Sequence, residues 1–139
     1  MKNKNGFTLV ELLISISIIA ILSVVLTISF SNAQKNGRDQ RRIADLKAIQ
    51  SAAEQYLLLK GSYPANKNTP WTVNSQVVLQ TFPVGPKGVG DTYAYVYTNG
   101  TYYVCSNQME TGKYGNAILY SDYFEYQAIG QDYCVKNQQ

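Results

Sequence analysis

The chain has 139 residues and a formal charge of +3, contains no His and carries only two Cys. The ordinary metal-ligand spacings and the common nucleophile and base pairs therefore cannot be assembled, so neither an enzyme nor a metal or other cofactor is expected. So small a charge gives no warrant for a nucleic-acid partner, and twelve Tyr, concentrated after residue 90, point instead to β-structure in which aromatics pack across pleated surfaces.

From Phe7 to Gln34 the sequence is apolar apart from a few hydroxyl and amide side chains, and Glu11 is its single charge. At the α-helical rise Phe7 to Phe30 spans about 36 Å, enough to cross a hydrocarbon core of about 30 Å. A cleaved secretory signal would be shorter and would end in small residues at a cut site, which this segment lacks. A plain signal anchor explains the length but gives Glu11 no reason, since an ionised carboxylate there costs about 2.5 to 3.5 kcal/mol.

Lys2, Lys4 and Gly6, followed by Phe7-Thr8-Leu9-Val10-Glu11-Leu12-Leu13, resemble the processing site of type IV prepilins and of the related type II secretion pseudopilins. The resemblance covers roughly the first thirty residues closely and the rest in outline. It implies that a prepilin peptidase cleaves after Gly6, that the new amine on Phe7 is methylated, and that a membrane assembly platform polymerises the product. It also implies a precursor with one span in the inner or cytoplasmic membrane, and then an extracellular pilus or a periplasmic pseudopilus. Cleavage puts a cation one helical turn from Glu11, at a helix end whose dipole also favours negative charge. In the family's filaments this carboxylate meets the amine of a neighbouring copy and sets the axial register; the alternative is pairing with its own amine. Many pilins bend this helix at Pro or Gly, whereas Phe7 to Asn36 contains neither, leaving Ser15, Ser17, Ser23, Thr27, Ser29 or Gly37 to loosen it. Lys35, Arg38, Arg41 and Arg42 outnumber Lys2 and Lys4, so the positive-inside rule is ambiguous and the processing motif decides the orientation.

Past Asn36-Gly37, Ile43, Leu46, Ile49, Ala53, Tyr56 and Leu57 recur at helical spacing. At 100° per residue they fill an arc of about 140°, and Lys47 and Glu54 are assigned to the opposite side. Gly61 ends this helix, and Ser62-Tyr63-Pro64 cannot continue it. The basic cluster Lys35, Arg38, Arg41, Arg42 and Lys47 is interspersed with Asp39 and Asp45 and lacks stacking aromatics. It is assigned to a solvated or intersubunit face that pairs with acidic neighbours rather than to DNA. All four Pro lie between residues 61 and 91, in a connecting loop whose Val73 to Phe82 stretch fits a short helix or a strand.

Asn99-Gly100 divides two alternating runs, Thr92 to Thr98 and Thr101 to Cys105, as a type I′ hairpin turn does, and a tight turn explains Asn99-Gly100-Thr101 better than a glycosylation sequon. The register then opposes Val96 to Tyr103 and Ala94 to Cys105 on one face, with Tyr95 opposite Val104 on the other. The Ala94, Val96, Cys105 face is expected to meet the helix. Ile118 to Tyr120 and Tyr123 to Ile129 read as one or two further strands. In an exported head Cys105 and Cys134 would pair; the alternative is two buried free thiols. A disulfide-bounded C-terminal region also resembles that of many type IV pilins.

The expected fold is α+β, a long N-terminal helix packed on an antiparallel sheet of three to four strands. Its parts are a cleaved leader (1–6), an apolar helix (7–34), an amphipathic continuation (35–60) and a head (61–139). The leading function is a filament subunit, with processing at Gly6 and Phe7, assembly through Phe7 and Glu11, a Cys105–Cys134 disulfide, no metal, and copies of itself and other pilins as partners. Asp122, Glu125 and Asp132 are too dispersed for the calcium loop of the major secretion pseudopilins. The alternatives are a pseudopilin of a type II secretion or DNA-uptake system, and a single-span anchored binding protein that does not polymerise.

Overall fold

A computed structural model describes residues 6–115, 117–119, 124–126 and 132–138. Helix α1 runs without interruption over Leu9–Lys60, 52 residues. Leu, Ile, Ala and other helix formers fill it, and Gly37, its one Gly, is tolerated inside. Gly61 ends it as expected. The residue adopts φ +78°, and its N–H donates to the Leu57 carbonyl at 2.7 Å, closing the last turn. The chain divides into two compact units, one ending at Gln34 and one beginning at Lys35.

In the second unit, strands β1 (Trp71–Val73) and β2 (Gln76–Leu79) form a hairpin where the sequence left helix and strand open. Its turn residues, Asn74 and Ser75, both have positive φ. Strands β3 (Ala94–Thr98) and β4 (Thr101–Ser106) pair in the expected register, Ala94 with Cys105, Tyr95 with Val104 and Val96 with Tyr103. Asn99 and Gly100 take φ of 48° and 78°, as a type I′ turn requires. Strands β5 (Ala117–Leu119) and β6 (Phe124–Tyr126) form a separate antiparallel pair, and β7 (Tyr133–Lys136) joins β4, giving a three-stranded sheet in the order β3-β4-β7. The remaining residues of the two expected aromatic strands, Tyr120, Tyr123 and Gln127 to Ile129, lie outside the described residues.

Leu46, Ile49, Ala52, Ala53 and Tyr56 of α1 build the core with Tyr63, Trp71, Val73, Tyr93, Tyr102, Val104 and Val135. The hairpin face is thus the reverse of the expected one. Tyr102 and Val104, with Tyr95 partly buried beside them, meet the helix, while Cys105, Cys134 and Ala94 form a second cluster on the other face. The reason lies in size and in the phenol groups. Burying the larger tyrosine rings removes more apolar surface from water, and their hydroxyls reach acceptors on or beside the helix. Tyr102 Oη lies 3.4 Å from the Gln50 carbonyl and 3.2 Å from Glu54 Oε1, and Tyr93 Oη donates to Asp45 at 2.7 Å. Trp71 sits edge-on to Tyr56 and Phe82, and Tyr95 stacks on Tyr102 with ring centroids 5.7 Å apart.

Glu54 is not on the opposite side of the helix. Counted from the centre of the apolar arc it stands at about 90° rather than 180°. From that flank it accepts Tyr63 Oη at 3.0 Å and the Gln138 N–H at 3.2 Å.

Candidate functional site

Gly6, Phe7 and Thr8 precede α1, and every side chain from Phe7 to Val25 is exposed. A helix start leaves its first N–H groups without intrahelical partners. Here Thr8 and Glu11 satisfy two donors reciprocally. Glu11 Oε2 accepts the Thr8 N–H at 2.8 Å and the Thr8 hydroxyl at 2.7 Å, while Thr8 Oγ1 accepts the Glu11 N–H at 3.3 Å. This is a capping box. Its spacing, Thr8-Leu9-Val10-Glu11, is legible in the sequence, and it gives Glu11 a partner besides the amine of Phe7. One carboxylate oxygen is engaged in this way, and Oε1 has no partner among the described residues. Further along, the Ser15, Ser17 and Ser23 hydroxyls donate to the carbonyls of Glu11, Leu13 and Ile19, each four residues back, at 2.7 to 2.8 Å. The helix thus satisfies these polar groups within its own backbone, as a segment in hydrocarbon must. By length and composition α1 carries a segment able to cross a membrane.

Cys105 and Cys134 are joined by a disulfide, S–S 2.06 Å, between directly opposed residues of β4 and β7.

The second constellation surrounds one turn of α1 in the head: Arg38 and Arg42 pair with acids as expected, but Arg42 is buried and does not lie on a solvated or intersubunit face. Arg42 and Asp39 are fully buried. Arg42 Nη2 reaches Asp91 Oδ2 at 2.7 Å, with Nε at 3.2 Å from the same oxygen, while Nη1 contacts Asp39 Oδ1 at 2.9 Å and Glu110 Oε1 at 3.2 Å. The Arg38 guanidinium forks onto Glu110 at 2.7 and 2.8 Å, and Lys87 Nζ lies 3.3 Å from Glu110 Oε2. Asp39 also accepts the backbone N–H groups of Glu110 and Thr111, each at 3.0 Å, and the Thr111 hydroxyl at 2.8 Å. The Arg38 fork holds the Glu110 carboxyl down at about 2; burial opposes the shift, and Arg42 and Lys87 add to it. A signal for this site was present in the sequence. At 100° per residue Asp39 and Arg42 fall about 30° to either side of the centre of the apolar arc, so both point inward. A buried charge must be paired, and the acids that pair Arg42 come from distant loops, which helical periodicity does not show. Among the described residues no group of acids, His or Cys could hold a metal ion.

The profile of the prokaryotic N-terminal methylation motif matches residues 1–27. The major component of a type IV wide pilus from Thermus thermophilus, PilA4, is 38% identical over 87 residues, which cover 56% of this chain and 66% of the relative, just under two thirds. No solved structure matches significantly. With the methylation motif at its N-terminus and a pilus component matched through the aligned region, the chain is similar to type IV pilins.

Proposed function

We propose that the chain is a structural subunit of a type IV pilus or pilus-like filament, cleaved after Gly6, methylated at Phe7 and polymerised through α1. The family is structural and non-enzymatic, and it self-assembles into filaments with other pilins. One observation carries the reading: the first part of α1 exposes Leu9, Val10, Leu12, Leu13, Ile14, Ile16, Ile18 and Ile19 on all sides of the helix, with Phe7 exposed just before it and a single carboxylate at its start. Such a surface needs lipid before assembly and neighbouring helices after it. In the precursor the capping box gives the Glu11 carboxylate local partners. After cleavage its open oxygen is available to the amine of a neighbouring copy, and geometry rather than net energy is the gain, because desolvation offsets much of the attraction. The named role of the Thermus thermophilus relative favours a pilus over a secretion or DNA-uptake pseudopilus.

Intact-mass measurement of the mature protein tests the processing step, with loss of residues 1–6 and one added methyl as the expected result. Replacement Glu11→Gln should leave that processing in place and abolish filaments. Filament yield equal to wild type in this variant would end the assembly role given to the carboxylate.

A further inference from the structure

We propose that Asn99 is a site of spontaneous chemical modification, deamidating through attack by the Gly100 nitrogen, whereas Asn36, in the same dipeptide, is held inert by its helix. The proposal does not depend on the filament reading.

Asn-Gly occurs three times in the chain. Asn5-Gly6 falls in the proposed leader, which leaves Asn36-Gly37 and Asn99-Gly100 in opposite surroundings. The reaction needs an open side-chain amide and, beside it, a backbone nitrogen that is neither hydrogen-bonded nor screened by a side chain. Asn99 and Gly100 are the exposed tip of the β3–β4 hairpin, beyond its last cross-strand pair, Thr98 with Thr101. Neither the Asn99 amide nor the Gly100 N–H has a hydrogen-bond partner among the described residues. Glycine leaves the attacking nitrogen unscreened, and the space where a Cβ would stand is open. Asn36-Gly37 lies instead inside the uninterrupted helix α1, where the Gly37 N–H is committed to the carbonyl four residues back and the backbone cannot swing toward Asn36 Cγ. The Asn36 side-chain oxygen is itself buried. Asn74-Ser75 supplies a second comparison, an exposed turn with positive φ at both residues but with a serine side chain beside the nitrogen.

The step balances with water and hydroxide alone. The Gly100 nitrogen gives its proton to hydroxide and attacks Asn99 Cγ. A C–N bond forms, the Cγ–Nδ2 bond breaks, and ammonia leaves with a proton taken from water, closing a five-membered imide. Water then opens the imide at either carbonyl, so that overall one water is consumed, one ammonia is released and nothing is oxidised or reduced. Opening at Cγ gives an aspartate, which keeps the turn because Asp-Gly also favours type I′. Opening at the backbone carbonyl gives an isoaspartate and adds one carbon to the main chain. A two-residue turn has its twist matched to its strands, so this product loosens the Thr98–Thr101 end. The pairing with β7 and the Cys105–Cys134 bond hold the far end of β4.

The test incubates the full-length chain in detergent at mildly alkaline pH and follows each asparagine by peptide mapping, with the starting sample as baseline. The peptide carrying Asn99 should gain about 1 Da and split into two products of equal mass. Its conversion should run within about tenfold of an unstructured peptide of the same sequence, because only the hairpin tip has to open. Asn36 should convert at least about a hundredfold more slowly than Asn99, since its helix must first unfold, and Asn74 should also trail Asn99. Conversion of Asn99 slower than that limit, or of Asn36 or Asn74 at the pace of Asn99, overturns the proposal. In the separated isoaspartate form the amides of Thr98 and Thr101 should exchange about tenfold faster or more, with Val104 and Cys105 unchanged, while Asn99→Asp keeps wild-type protection at all four. Equal exchange in the isoaspartate form and in Asn99→Asp overturns the effect given to the added carbon.

Discussion

Breaking the Cys105–Cys134 cross-link is expected to lower the stability of the head by several kcal/mol while leaving its fold in place. The two residues are 29 apart in sequence, and for a loop of that size the chain-entropy relation gives about 3.6 kcal/mol at 25 °C. The native sheet loses little on reduction, because β4 and β7 are paired on both sides of the bond, Val104 with Val135 and Ser106 with Tyr133. Both cysteines are buried and are expected to stay packed as thiols, so reduction isolates the cross-link. For a domain of about a hundred residues each kcal/mol moves the midpoint by about 4–8 °C, so reductant should lower Tm by about 14–29 °C. The assay is a thermal melt of the full-length protein in detergent, followed by near-ultraviolet circular dichroism of the tyrosine-rich core, with thiol titration to confirm reduction. The double variant Cys105→Ala and Cys134→Ala should fall lower still, by the lost burial of two side chains. A shift below about 5 °C in fully reduced protein would show that the unfolded chain was already restrained, and the entropy argument would not hold here.

Tyr102→Phe removes one buried hydroxyl from Gln50 and Glu54 and should cost about 1 kcal/mol in denaturant melts, since Glu54 retains Tyr63 and the Gln138 amide; a neutral result would mean the phenol contributes only through its ring. Glu110 is held at about 2, below the ordinary carboxylate range, so its contribution is complete above about pH 4.3 and is lost as pH falls toward 2. Wild type should therefore lose stability across that window faster than Glu110→Gln, by at most about 1.4 kcal/mol per pH unit, and parallel curves would refute the assignment. At the alkaline end burial, and next the Glu54 carboxylate, push Tyr63 up to about 12, and burial chiefly raises Tyr93, Tyr95 and Tyr102 further. Stability is then complete below about pH 10 and declines above it, so phenolate absorbance should rise together with unfolding; independent titration of these four near pH 10 would contradict their burial.

The features legible in the sequence are those whose cause is local. Asn99-Gly100 announced its hairpin and every pair of its register, because positive φ at two successive positions is a requirement that few residues meet. Asn74-Ser75 meets the same requirement without a glycine, so the sequence does not distinguish the β1–β2 hairpin from a helix. Which hairpin face turns inward was misjudged, since alternation alone gives two equivalent faces and the choice falls to ring size and to acceptors carried by α1. Strand β7 was missed because Tyr133 to Lys136 is too short for a pattern and is placed by its pairing with β4. At the helix start the Thr8-Leu9-Val10-Glu11 spacing encodes the capping box locally. The inward phase of Asp39 and Arg42 was readable too, while the identity of Asp91 and Glu110 as their partners depends on chain closure over about 50 and 70 residues, which local patterns do not encode.

Helix α1 meets one physical demand in two ways along its length. Every polar group removed from water needs a partner, and in lipid the helix can draw only on itself. The Thr8–Glu11 box and the back-bonded Ser15, Ser17 and Ser23 are partners within the helix, so these groups need nothing from the rest of the chain. From Lys35 onward the polar residues at inward phase draw on the rest of the head: Asp39 on Glu110 and Thr111, Arg42 on Asp91, and Gln50 on the Lys136 carbonyl. That second set has its partners only after the loops and β7 have folded. A carboxylate or guanidinium at this phase in the first stretch would have no such loops, which accounts for Glu11 being the one ionised side chain there and for its position in the first turn, where backbone donors are open.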